Sequence, residues 1–365
     1  MTRPSPKPWI EQIHAYVPGK SRGADGRALI KLSANENPLG CSPAALAALG
    51  GGHTPALYPD SDCTALRDAI GALHGIDTAR IVCGAGSGEL LHCAVQAFAG
   101  VGDEVLFPRH SFSLYPLLAH KVGATGVLAD VADYTASVDA LLAAVSERTK
   151  VVLLDNPNNP LGTMISAAEV TRLHAALPGD VLLVLDQAYA EYAGPGDPDG
   201  AMALAARADN VLVTRTFSKA YGLAAERIGW ATGAPELVDM VNRLRGAFNV
   251  SSSGQAAALA ALGDQDFVED ARETNAANRA QFVEAVAALG NHGLRAIESH
   301  ANFVLVLFEG ALSAEAALAA LAEGGYAVRH LPGQGLDHAL RITIGTASDM
   351  AAVAAILRGA AEAAG

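Results

Sequence analysis

TRTFSKAYGLAAERIGW, Thr214–Trp230, follows the apolar run Val211-Leu212-Val213, which reads as the end of a buried strand. Hydroxyl side chains and one cation then crowd together before Lys219. A lysine directly after a serine at a strand end suggests an amine held in a site. An amine crowded by burial or by other cations loses part of its proton and becomes nucleophilic toward carbonyls. Further on, Arg227 stands beside the apolar Ile228-Gly229-Trp230. Thr216, Ser218 and Arg227 together suit a phosphate dianion next to the Lys219 amine. The plainer alternative is a surface lysine and a solvated arginine after a strand, which describes most such residues. The rest of the chain decides between them.

Composition narrows the classes. The 365 residues suffice for one large domain and a smaller one, each with its own core. Hydrophobic residues at 51% and charged residues at 17% suit an α/β enzyme core and argue against disorder. A formal net charge of −13 opposes nucleic-acid binding, which needs a basic face. Cys41, Cys63, Cys83 and Cys93 form no CxxC pair and no Cys/His ligand spacing, so they read as reduced thiols with no structural metal. The start, MTRPSPKPWIEQ, lacks the apolar core of a signal peptide, and no run reaches the roughly 20 apolar residues of a membrane helix. The expectation is a cytoplasmic protein with no membrane partner.

Along the chain, apolar strands alternate with helical periodicity. Strands are expected at Ile81–Cys83, Glu104–Phe107, Val127–Ala129, Lys150–Leu154, Val181–Leu185 and Asn210–Val213. Helices are expected after Ser42-Pro43 and over Asp62–Leu73, Ser113–Lys121, Val138–Val145 and Ser166–Leu177. This rhythm predicts a mostly parallel sheet with helices on both faces, and such sheets bind ligands beyond the carboxyl ends of their strands. From Glu236 the pattern changes to long helices ending near Leu289, then strands Ala301–Phe308, Tyr326–His330 and Ala339–Ile344 and a final helix, the make-up of a small α+β domain. The glycine-rich turn Gly84-Ala85-Gly86-Ser87-Gly88 before a helix start offers backbone N–H groups to an anion. Its G-x-G-x-G spacing and late position argue against a dinucleotide site.

These pieces match what pyridoxal phosphate requires. A buried carboxylate must face its ring nitrogen, and Asp186 ends a strand, although strand-end aspartates more often cap a turn. Donors are needed for the ring 3-oxygen, and Asn159 and Tyr189 qualify. Tyr115 is the candidate to stack on the ring, against the commoner role of a core aromatic. The Gly84–Gly88 loop, Thr216, Ser218 and Arg227 would hold the phosphate, and Lys219 would bond the aldehyde.

NPNNPLG, DQAYAEY, TRTFSKAYGLAAERIGW, AFNVSS and ALRITIGT, in this order, resemble the fold-type I pyridoxal-phosphate aminotransferases. ENPLG, LYPD and YVPGK make the chain similar to the histidinol-phosphate aminotransferase family, from Tyr16 to Thr346. The resemblance implies a seven-stranded, mostly parallel sheet in a large domain over 36–250. It implies a small α+β domain over 251–365 and an N-terminal segment, 1–35, packed on that small domain. Lys219 would be the Schiff-base and catalytic lysine, Asp186 the partner of the ring nitrogen, and Asn159 and Tyr189 the partners of the 3-oxygen. Tyr115 would stack on the ring, while Ser87, Ser218, Arg227 and the Gly86–Gly88 backbone would hold the phosphate. Tyr58 of the LYPD motif would reach the phosphate of the neighbouring subunit, so a homodimer is implied. Tyr16, Asn35, Arg329 and Arg341 would face the substrates, Arg341 through the α-carboxylate of glutamate. The implied reaction moves an amino group from L-glutamate, leaving 2-oxoglutarate, to 3-(imidazol-4-yl)-2-oxopropyl phosphate, giving L-histidinol phosphate.

Two departures stand out. The family's GNGSDE loop reads GAGSGE, with Ala85 and Gly88 in place of an amide and a carboxylate, and its DEAY reads DQAY, with Gln187 for a glutamate. Neither touches Lys219, Asp186, Tyr189 or Arg227, so the expectation is an intact phosphate cup with altered outer bonds. Rival readings are an aromatic or broad-specificity aminotransferase and a threonine-phosphate-type decarboxylase on the same scaffold. A non-catalytic cofactor-binding regulator lacks support, since no helix-turn-helix or basic tail is present.

Overall fold

The computed structural model describes residues 4–11, 13, 22, 26–51 and 54–365. Its strands, in chain order, are β1 (Ile30–Lys31), β2 (Ile81–Gly84), β3 (Glu104–Pro108), β4 (Thr125–Ala129), β5 (Val131–Ala132), β6 (Thr135–Ala136), β7 (Thr149–Asp155) and β8 (Leu182–Asp186). They continue with β9 (Val211–Thr216), β10 (Gly229–Gly233), β11 (Leu294–Ala296), β12 (Phe303–Phe308), β13 (Tyr326–Ala327), β14 (Arg329–Leu331) and β15 (Leu336–Thr343).

The large sheet has seven strands in the order β2-β10-β9-β8-β7-β3-β4. Pairing is parallel from β9 through β4, and β10 alone runs against its neighbours β2 and β9. Both faces are covered, and the sequence of β7 explains how. Val151 and Leu153 enter a core with the helices Ser87–Phe98, Leu114–Val122 and Pro235–Leu244. Val152 and Leu154 enter the opposite core with Val138–Ala144, Ala167–Ala176 and Ala201–Arg207. A strand buried on both sides reads as one continuous apolar run, which is why periodicity found it. The expected helix starts hold as well. Ser42, Ser137 and Ser166 each accept a backbone N–H of the first turn, and Thr346 with Asp349 forms a capping box.

Strand β10, like the shorter β5, β6 and β11, is an element periodicity did not find. GWATG is too glycine-rich to read as a strand alone. Being antiparallel, it starts at the edge where β2, β7, β8 and β9 end, and so brings Arg227 there. Gly229 pairs with both Gly84 and Thr216. A Cβ on Gly229 would sit 2.4 Å from the Ser87 nitrogen and 2.7 Å from the Gly86 carbonyl carbon. Only a glycine lets β10 pass this close to the glycine-rich turn.

The C-terminal part carries a four-stranded antiparallel sheet, β11-β12-β15-β14. Helices Gln265–Ala287, Ala314–Glu323 and Ala347–Ala364 cover one face of it. The predicted strand Tyr326–His330 splits at Val328. β13 pairs in parallel with β1, and β14 pairs with β15. The long predicted helix before Leu289 is likewise two helices, broken at Gly263-Asp264, where Asp264 caps the second. Helix Ser252–Leu262 shares a core with Pro43–Leu49, Thr64–His74 and the residues around Lys219. No helix among the described residues is long and apolar enough to cross a membrane.

Gly229→Ala is expected to lower stability by about 1–3 kcal/mol through overpacking against the Gly86–Ser87 backbone. A urea titration checks this. The midpoint should fall with an unchanged slope, and an unchanged midpoint would mean β10 does not need this approach.

Candidate active site

The carboxyl edge of the large sheet opens into a cavity of about 800 Å³. Twelve of the residues singled out from the sequence line it: Asn35, Ser87, Gly88, Asn159, Asp186, Tyr189, Thr216, Ser218, Lys219, Arg227, Arg329 and Arg341. They come from both sheets and from the segment after β1, so the cavity lies where these parts meet.

Strand register builds the floor. Asp155, Asp186 and Thr214 are in-register neighbours on β7, β8 and β9. In-register residues of parallel strands point to one face, so the three form a polar row. Asp186 is buried, and its carboxylate accepts hydrogen bonds from Thr214 Oγ1 at 3.0 Å and Tyr115 Oη at 3.3 Å. Burial pushes its carboxyl up to about 6, while those two hydroxyls and nearby Lys219 pull the other way. A cationic partner facing this carboxylate would hold it ionised.

Lys219 lies just past β9. Its Nζ donates to the Ala34 carbonyl at 3.2 Å and stands 5.7 Å from the centre of the Tyr189 ring. Burial pushes the amine down to about 8, and Arg341 and Arg227 add to the effect. Tyr189 Oη accepts from Asn35 Nδ2 at 2.8 Å. Its own ionisation is pushed up to about 12 by burial, so it remains a neutral phenol.

The anion cup forms where β2 meets the next helix. Helix Ser87–Phe98 has no side-chain cap, so the first N–H groups of a twelve-residue helix meet the cavity. Thr216 Oγ1 bonds Ser218 Oγ at 3.0 Å, and Arg227 Nη1 donates to Ser218 Oγ at 3.2 Å. Gly86 has φ +82°, and a Cβ there would lie 2.6 Å from Arg227 Nη2, so the guanidinium sits directly over the turn. The Gly86 N–H donates to the Gly84 carbonyl at 2.8 Å, while Ser87 and Gly88 line the cavity. The altered residue Ala85 gives its N–H to Glu89 at 2.6 Å. The same carboxylate accepts from Asn249 Nδ2 at 2.5 Å and Gly246 N at 3.2 Å. The other departure is equally explained. Gln187 donates to buried Asp199 at 2.5 Å and accepts from Arg215 Nε at 3.0 Å. An amide satisfies both neighbours, where a glutamate would meet Asp199 with like charge.

A second cationic group stands on the small sheet. Arg329 and Arg341 are in-register partners on β14 and β15, and both line the cavity. Arg341 donates to Asn159 Oδ1 at 2.5 Å and to the Ser33 carbonyl at 2.7 Å.

Three expectations need separate treatment. Tyr115 does not line the cavity as a stacking ring. It is fully buried against Asp186, edge-on to Phe107 and Phe112, and of these three rings Phe112 lines the cavity. Tyr115 is the second residue of a helix, one turn past the loop that reaches the site, so its side chain falls back into the core. Phe112 carried no sequence signal apart from its place in that loop. Tyr58 lies outside the cavity, 81% exposed and stacked on Phe248 at 4.5 Å. Tyr16 lies outside the described residues.

Comparison with known proteins follows the same lines. The family described as aminotransferase class I and II matches residues 27–357. A histidinol-phosphate aminotransferase of Erythrobacter litoralis is 64% identical over 363 residues, covering 100% of this chain and 99% of that protein. One from Zymomonas mobilis is 57% identical, with 96% of each chain covered. Among solved structures, histidinol-phosphate aminotransferase from Sinorhizobium meliloti, in complex with pyridoxal-5'-phosphate, superposes with a TM-score of 0.89 at 30% identity, covering 98% of this chain and 97% of that one. The chain therefore belongs to the class I and II aminotransferases and, within them, to the histidinol-phosphate aminotransferase family.

Proposed function

We propose that this protein exchanges an amino group between L-glutamate and the phosphate ester L-histidinol phosphate, using pyridoxal phosphate, in histidine biosynthesis. The observation that carries the reading is one cavity in which a half-buried lysine amine stands among two separate cationic groups, Arg227 with Ser87 and Ser218, and Arg329 with Arg341. One group suits the cofactor's phosphate. The other suits the carboxylate of one substrate and the phosphate of the other in turn. The full-length relatives carry the same name.

The residues present fit the cofactor. Asp186 is a buried carboxylate suited to hold a proton on a ring nitrogen. Asn159 and Tyr189 would serve the 3-oxygen, Phe112 would cover a ring face, and Ser87, Gly88, Thr216, Ser218 and Arg227 would take the phosphate. When bound, pyridoxal phosphate supplies an electron-accepting ring and an aldehyde that carries the amino group between substrates. Lys219 Nζ, its amine pushed down to about 8, would take the proton from the Cα of the amino donor in one half-reaction and deliver a proton to the Cα of the amino acceptor in the other. Arg341 orients the substrate carboxylate, with Asn159 and the Ser33 carbonyl holding its fork. Arg329 and Asn35 complete the substrate side, and Tyr16 joins them in this reading.

The reading includes a cytoplasmic homodimer in which Tyr58 serves the partner's site. Its exposed ring and its place outside the lining of its own cavity favour that, and Leu57, next to it in the chain, is also exposed. It further includes two domains with an N-terminal segment, 1–35, on the smaller one, as the pairing of β1 with β13 favours. The break between domains is drawn in this reading at Gly263-Asp264 and not after 250, because helix Ser252–Leu262 shares a core with Phe217, Ala220 and Tyr221 of the large domain.

Purified enzyme with pyridoxal phosphate should turn over histidinol phosphate with 2-oxoglutarate at a kcat/KM at least about 100-fold above that for phenylalanine. Faster turnover of phenylalanine, or carbon dioxide release from threonine phosphate, would move the assignment to a rival of the same scaffold. In cofactor-free protein, the pH dependence of trace acetylation by acetic anhydride should place Lys219 near 8. A lowered value means the reactive amine appears at lower pH than at other lysines, so a Lys219 midpoint in their ordinary range would contradict its burial among cations. Mixing Lys219→Ala with Tyr58→Ala chains should regain activity neither parent has, since one site of each mixed dimer keeps both residues; no regain would place Tyr58 outside the site.

A further inference from the structure

Asp155 ends β7, yet the sequence reading passes over it and the mechanism above does not use it. It is 3% exposed, lines the cavity and is the in-register neighbour of Asp186. Its Oδ2 accepts two backbone N–H groups, from Phe112 at 3.0 Å and from Asn159 at 2.8 Å. Its Oδ1 accepts from Asn158 Nδ2 at 3.0 Å. Phe112 lies in the loop that leaves β3, and Asn159 in the turn that leaves β7. These strands are parallel neighbours, so the two loops emerge side by side at the same edge. The ladder between β3 and β7 ends at Leu106 and Val152, so strand pairing does not set the spacing of the loops beyond it. The Asp155 carboxyl group bonds to both loops, while Gln334 Nε2 donates to the Ser111 carbonyl of the first.

We propose that Asp155 is a positioning residue, whose single carboxyl group sets where the Phe112 ring and the Asn159 amide stand relative to Asp186, and so how the cofactor ring is held. The inference rests on the roles given above to Phe112, Asn159 and Asp186. Burial pushes the Asp155 carboxyl up to about 8, with nearby Asp186 acting in the same direction and the backbone donors opposing. A neutral group that accepts two backbone N–H groups is therefore the form to imitate at pH 7. Asparagine keeps both with its carbonyl oxygen and gives up only the bond from Asn158 Nδ2, whereas alanine leaves all three donors without an acceptor.

Cofactor-free wild type, D155A, D155N and D155S are titrated with pyridoxal phosphate, and the induced circular dichroism of the bound cofactor is recorded. D155A is expected to weaken binding about ten- to a hundredfold and to change the sign of the dichroism band or at least halve its amplitude. D155N should remain within about threefold of wild type, with a wild-type band. Wild-type binding and dichroism in D155A would overturn the proposal, and so would a D155N as weak as D155A, since charge and not placement would then be at work. Should D155A fail to fold, D155S keeps one acceptor and is expected to weaken binding about tenfold; wild-type affinity there would be equally decisive against it. A wild-type protein that takes up no pyridoxal phosphate sinks the functional reading itself, before any variant is compared, so the two failures are read separately.

Discussion

Parallel pairing of β7, β8 and β9 lines up Asp155, Asp186 and Thr214 in one row, and the rest of the site is built against that row. Because these strands run the same way, their polar ends gather at one edge while their apolar bodies stay buried on both faces. Strand β10 runs the other way and so begins where the others finish. That reversal delivers Arg227 to the turn that follows β2. A sheet with β10 parallel would carry the same residues and lose the cup.

Electrostatics follows from this packing. The cavity is lined by a lysine amine, several arginines and two buried aspartates. Burial disfavours every charged form, pushing Lys219 down and Asp155 and Asp186 up. Ligand charges reverse that pressure. A cation facing Asp186 would restore its ionised form, and anions beside Arg227 and Arg341 would relieve the crowding of cations around Lys219. The site is thus arranged for a partner that brings both signs of charge.

Much of this was legible from the residues. The apolar runs of β2, β3, β7, β8 and β9 are continuous because both sides are buried, and serine caps mark the helix starts between them. Lys219, Asp186 and Arg227 stood out because charged groups in apolar surroundings need a reason. Other features were hidden. GWATG carries too weak a pattern to reveal β10, and Asp155 looks like any aspartate before a turn. Tyr115 and Phe112 are three residues apart, and only the start of helix Leu114–Val122 decides that Tyr115 turns inward while Phe112 meets the cavity. The departures at Ala85 and Gln187 were visible, but their meaning was not, because Glu89, Asp199 and Arg215 become their neighbours only after folding.

The division between the two sources has a simple cause. Local order determined which segments become strands and helices, and which residues carry the chemistry, because burial patterns and caps act over a few residues. Register, strand direction and the meeting of two sheets are relations between segments far apart in the chain. They decided that Arg341 meets Asn159, that Asn35 meets Tyr189, and that Asp155 ties two loops together. No short window of sequence contains both members of the first two pairs, or both loops tied by Asp155, and so only the tertiary structure could bring them into contact.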